Sequence, residues 1–231
     1  MALVVRAFPV RAGRAGVQSF VNDLNGRAEE TRRFYTGYGV RRESLFLQDT
    51  PQGLYAIAVT DIEEPVPPKA EEYANTVDEF GQWFQSRVQD ISGINLRERP
   101  LGPDTEQVYD STNGAFRPDA TLGVRMYPLT RGVGPLKEFA AELQKRRSES
   151  RAFYDSYRVD ESWFVQDVGG QPYAIAVASM RGDIEGNLKR FAESTEPFEV
   201  WFKQRVIDLT GVDPNETPLG PPSEQVFEFR A

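Results

Sequence analysis

The sequence repeats itself. Residues 3–40 align with residues 122–159, and residues 43–111 with residues 161–229. Tyr55-Ala56-Ile57-Ala58-Val59 recurs unchanged as Tyr173 to Val177. Trp83-Phe84 and Arg87-Val88 recur as Trp201-Phe202 and Arg205-Val206, and Pro100 to Pro103 as Pro218 to Pro221. Self-similarity at this spacing constrains the chain to two similar folding units in tandem. The sequence places the first unit at 1–110, a polar linker at 111–120 with Asn113-Gly114 and Pro118 as breakers, and the second unit at 121–231.

Each copy has one order of elements. A short β-rich run at 3–8 precedes a long helical pattern, in which Val17, Phe20, Val21, Leu24, Ala28, Thr31, Tyr35 and Tyr38 recur at spacings of three or four. Gly37 and Gly39 end it. Two extended segments follow, near 43–49 and 54–60, joined by Thr50-Pro51-Gln52-Gly53. A second helix is expected to start at Thr76, with Glu79 completing a capping box. A last strand covers 105–110. The result is an α+β unit of the form βαββαβ, with both helices on one face of a four-stranded antiparallel sheet. The first strand is expected inside the sheet and the second at its edge. The helix-free face needs a cover. The second copy is the obvious one, which predicts a barrel of two sheets with helices outside and a monomer as the basic unit. The Pro-Leu-Gly-Pro segments let each last strand reach toward the other copy.

Composition excludes several chemistries. The chain has no Cys and no His. Thiolate nucleophiles, disulfides and imidazole bases are therefore impossible, and zinc or haem is not expected; no cofactor is predicted. A net charge of −8 disfavours nucleic acid. No apolar run is long enough to span a membrane, and no signal peptide is recognisable, so a cytoplasmic location is expected. Any acid–base work must fall to carboxylates, Tyr, Lys or Arg-perturbed groups.

Arg6 and Arg125 sit inside apolar strand runs. An unpaired buried charge is costly. Each arginine therefore either anchors an anionic ligand or bridges to Glu43 or Glu161. Ser162 and Gln166, on the second strand of the second copy, line a polar lumen wall or a solvated sheet edge. Trp163 and Tyr173 are candidate aromatic walls, with Glu161 and Tyr173 as candidate acid–base groups. Trp83 with Arg87, and Trp201 with Arg205, have the spacing of cation–π pairs, but helix-to-sheet packing is the expected role. The copies differ at Leu45 against Trp163, so the second copy is the better-equipped candidate.

Glu161-Ser162-Trp163-Phe164, Pro197-Phe198, Trp201-Phe202 and Arg205 resemble the dimeric α/β barrel superfamily, ferredoxin-like in fold, which includes antibiotic biosynthesis monooxygenase-like proteins. The likeness covers nearly the whole chain, as a tandem fusion of two units, and is greatest to an uncharacterised bacterial family of that superfamily. The first copy departs from it at Leu45 and Glu79. The resemblance implies a small-molecule site in a lumen or sheet–helix cleft. It also implies a cofactor-independent enzyme of the monooxygenase, cyclase or isomerase type. The alternative is a non-catalytic binding or interaction protein with a filled barrel.

Overall fold

A computed structural model of the chain describes residues 2–112 and 119–231. It is an α+β fold with two four-stranded antiparallel sheets. The first copy contributes β1 (Ala2–Pro9), α1 (Gly13–Gly26), α2 (Ala28–Gly37), β2 (Val40–Thr50), β3 (Gly53–Ile62), α3 (Val66–Ala74), α4 (Glu79–Ser92) and β4 (Thr105–Asp110). The second contributes β5 (Thr121–Pro128), α5 (Gly134–Lys145), α6 (Arg147–Tyr157), β6 (Val159–Val168), β7 (Gln171–Met180), α7 (Ile184–Glu193), α8 (Pro197–Thr210) and β8 (Ser223–Arg230). Asn113-Gly114 and Pro118 lie outside the described residues. Among the described residues no helix is long and apolar enough to cross a membrane.

The strand order is β1-β3-β2-β8 in one sheet and β5-β7-β6-β4 in the other. Each sheet takes three strands from one copy and its fourth from the end of the other copy. The compact units follow this exchange and not the repeat. One is the chain through Asp104 with Ser223–Ala231, and the other is Thr105–Pro222. Two expectations are corrected. The first strand of each copy is outermost, and the second is interior, because the exchanged strand pairs with it. Arg42 fastens this join in the first unit, donating from Nε to Glu228 Oε1 at 2.8 Å.

The long helix of each copy is broken. α1 stops at Gly26 and α2 begins at Ala28, with Arg27 between them outside the helical region. Thr31 Oγ1 covers the freed Leu24 carbonyl at 2.9 Å. The Arg27 guanidinium lies 4.6 Å from both the Phe80 and Trp83 ring centres. Arg146 repeats the arrangement over Phe198 and Trp201. The cation–π partners are thus the arginines at the helix break. Arg87 and Arg205 reach instead to Asp23 and Glu142. The α4 cap also differs from expectation. Asp78, not Thr76, accepts from the Gly81 amide, at 2.9 Å, which satisfies a donor that a helix start leaves free. An additional helix, α3 or α7, precedes α4 or α8 in each copy.

The core of the first unit packs Val17, Phe20 and Leu24 of α1 with Tyr35, Phe80 and the exchanged Phe227 and Phe229. In the second unit Leu136, Phe139 and Leu143 pack with Tyr109 of the exchanged strand and with Trp163. Truncating a buried Phe costs about 3–5 kcal/mol. Phe227→Ala should therefore destabilise the first unit by that amount, although it stands near the end of the chain. Trp83 is the only tryptophan of that unit. Variants in which Trp163 and Trp201 are replaced by Phe would make its fluorescence the readout. A transition at Trp83 unmoved by Phe227→Ala would contradict the assignment of β8.

Candidate functional site

In each unit a cavity lies between the sheet and its helices. Strand alternation decides what enters it. On β2 the residues Glu43 and Leu45 face the helices, and Ser44, Phe46 and Gln48 face the other way. On β3 the helix side carries Ala56, Ala58 and Thr60. The cavity of the first unit is about 190 Å³, and that of the second about 150 Å³. The walls are overwhelmingly apolar, with Phe20, Phe34 and Phe84 in the first and Phe139, Phe153 and Phe202 in the second.

Each cavity holds one carboxyl group at the same place in the repeat. Glu43 in the first unit is pushed up from 4.5 to about 8 by desolvation, opposed by a hydrogen bond with the Thr60 side chain. Removing a carboxylate from water disfavours its charged form, and no arginine or lysine offsets this. Glu161 in the second unit is also raised by desolvation, against hydrogen bonds from Tyr154 and Trp163. The Tyr154 hydroxyl donates to Glu161 Oε2 at 2.9 Å, and the Glu161 amide donates to Ser111 Oγ at 2.7 Å.

The second site is tightly built. Trp163 stands between Tyr109 and Phe139, with ring centres 4.5 and 5.2 Å away. The Tyr109 and Ser150 hydroxyls are 3.0 Å apart. Burial raises both Tyr109 and Tyr154 above the usual phenol range. The first site is looser. Leu45 replaces Trp163, Phe227 stands where Tyr109 does, and Thr60 replaces Ala178.

The structure brings Glu161 and Trp163 into one cavity. Arg6 lines the other. Its Nη1 donates to its neighbour's carbonyl, Val5 O, at 2.7 Å. Burial lowers its pKa, against the attraction of Asp104. Arg125 makes the matching contact with Val124 O at 2.7 Å, and burial lowers its pKa too, against Tyr127. Ser162, Gln166 and Tyr173 are buried but alternate onto the helix-free face, away from Glu161. The edge alternative for Ser162 and Gln166 falls, since β6 is paired on both sides.

The residues passed over in the sequence are Thr60 and Tyr73, which with Glu43 line the first cavity. The signal for Tyr73 was present: Phe191 occupies its place in the second copy. Among the described residues no group of three or more carboxylates stands ready to hold a metal ion. No protein-family model, curated protein or solved structure matches the chain.

The raised Glu43 pKa has a consequence for stability. Its ordinary value is 4.5 and its folded value about 8. The folded state therefore holds a proton that the unfolded state releases, and stability falls as pH rises through this window. At about 1.4 kcal/mol per pH unit the full effect is at most about 5 kcal/mol. Glu43→Gln, which cannot ionise, should flatten the stability profile between pH 5 and pH 8. Urea denaturation at several pH values measures it. Parallel profiles for the two proteins would mean that Glu43 titrates normally.

Proposed function

We propose that this chain is a cofactor-independent small-molecule protein that works by proton transfer from a carboxyl group held in an apolar sheet–helix cavity. The observation that carries this reading is the carboxyl itself. Among the described residues it is the single acidic group in each cavity. In the first unit it exchanges its proton close to neutrality. A general acid or base is most effective when its pKa lies near the working pH. Cavities of about 150 Å³ accept a molecule of roughly one aromatic ring. The substrate class is thus small and mostly apolar, with a group that takes or gives a proton. Isomerase, cyclase and cofactor-free monooxygenase chemistry all begin with such a transfer. A binding protein without catalysis is the second reading, favoured by the tight packing around Glu161.

Screening one-ring aromatic compounds by ligand-observed NMR tests the cavity. Turnover of any hit with a rate following an ionisation near pH 8, and lost in Glu43→Gln, would support catalysis. Binding without turnover leaves the second reading. Absence of binding by any one-ring compound would sink both.

The same proposal includes the finer fold assignment, a ferredoxin-like tandem pair closed as an intramolecular α/β barrel. Its support is the apolar helix-free sheet face, with Val5, Ala7, Ile57 and Val59 in one copy and Val124, Met126, Ile175 and Val177 in the other, all buried. Light scattering should then give a monomer. An obligate dimer that unfolds on dilution would count against it.

A further inference from the structure

The two cavities differ in what their polar groups have left to offer. In the second, Glu161 accepts from Tyr154 and from Trp163. Two of the acceptor sites of that carboxyl are thereby taken before anything enters. In the first, the corresponding tyrosine, Tyr35, feels Glu43 only as a nearby charge, and the tryptophan donor is replaced by Leu45. Glu43 keeps the Thr60 contact alone.

A second group in the first cavity is also unengaged. Tyr73, on α3, lines the cavity. Its hydroxyl is enclosed and has no hydrogen-bond partner among the described residues. Its ring is held edge-on against Phe34 and Tyr38, at 5.8 and 5.5 Å. An enclosed hydroxyl without a partner costs about 1–3 kcal/mol, and a ligand oxygen would relieve that cost. The second copy has Phe191 there, so the hydroxyl belongs to the first copy alone. Space follows the same division. Ala70 and Leu45 stand where the second copy has Leu188 and Trp163, and the first cavity is the larger, 190 against 150 Å³.

We infer that the first-copy cavity is the ligand site and that it takes a neutral, single-ring hydroxylated aromatic whose oxygen meets the Tyr73 hydroxyl, while the second-copy carboxyl is a structural hydrogen-bond centre. This rests on the proposal that a sheet–helix cavity binds small molecules, and it names the cavity and the ligand class. Neutrality follows from the walls. Among the described residues the only cations lining the cavity are Arg6 and Lys69. Lys69 is turned to Glu63 at 3.6 Å, and Arg6 donates to the Val5 carbonyl and feels the charge of Asp104. An aromatic ring suits walls made of rings.

The test uses 4-fluorophenol and fluorobenzene as probes, followed by fluorine NMR on the full chain. Tyr73→Phe and Ala70→Leu each install a residue that the second copy already carries, as does their combination. Wild type should bind both probes. Tyr73→Phe should weaken 4-fluorophenol at least about tenfold and leave fluorobenzene within about twofold, without lowering thermal stability. Ala70→Leu should weaken both probes, because it fills the first cavity. If both probes bind but Tyr73→Phe treats them alike, or Ala70→Leu changes neither, the inference is wrong and the general cavity reading survives. If neither probe binds wild type, the cavity reading fails and this inference with it.

Discussion

The pairing of β8 with β2 governs what the first unit can do. Without it β2 would be an edge strand, with a row of unpaired amides and carbonyls open to water. Its Glu43 would then be solvated and ordinary. With it, Phe229 stands directly across from Glu43 and Phe227 across from Leu45. Residues opposed across an antiparallel pair project to the same face. The phenyl groups that make the carboxyl's surroundings apolar are therefore delivered by the far end of the chain. The second unit follows the same rule with different chemistry. There Tyr109 stands across from Trp163, and the exchanged segment continues to Ser111, whose amide donates to the Glu161 carbonyl at 2.9 Å.

The same carboxyl meets two opposing effects. Burial favours the neutral form, and donated hydrogen bonds favour the charged form. In both units burial wins. The second unit opposes it with two donors, Tyr154 and Trp163, and the first with Thr60 alone. Replacing Trp163 by Leu45 therefore does two things at once. It withdraws a donor from the carboxyl and removes an indole from the cavity wall. That difference, with the loss of the tyrosine bond and the gain of Thr60, separates the two carboxyls.

The repeat made the unit count, the element types and most strand positions legible, because apolar spacing alone separates strand from helix. What the sequence did not disclose was long-range. Strand order depends on which edge the last strand chooses, and nothing in Thr105–Asp110 or Ser223–Arg230 states that choice locally. Reading β1 as interior made Arg6 and Arg125 look like the decisive groups. With β1 outermost, each guanidinium bonds back to its neighbour's carbonyl. The helix break at Arg27 was hidden because the apolar spacing runs across it. The residue at the break seats its charge on Phe80 and Trp83, more than fifty residues on. Tyr73 escaped notice because shared residues drew attention, whereas the useful signal was a difference between copies.

The exchange is also unequal in cost. In the second unit the join between β4 and β6 is local, with Ser162 and Asp110 52 residues apart. In the first, Arg42 and Glu228 are 186 residues apart. Loop-closure entropy grows only with the logarithm of length, so the longer closure costs about 1 kcal/mol more. Burying Phe227 and Phe229 outweighs this several-fold. Equilibrium therefore tolerates the long join easily, and the difference falls on kinetics, since non-local pairings form slowly. The second unit is one contiguous segment, Thr105–Pro222, whereas the first waits for Ser223–Ala231. The unit whose carboxyl is saturated by its own side chains is thus the one that completes itself locally. The unit whose carboxyl keeps the Thr60 contact is the one that takes a cavity wall from the far end of the chain.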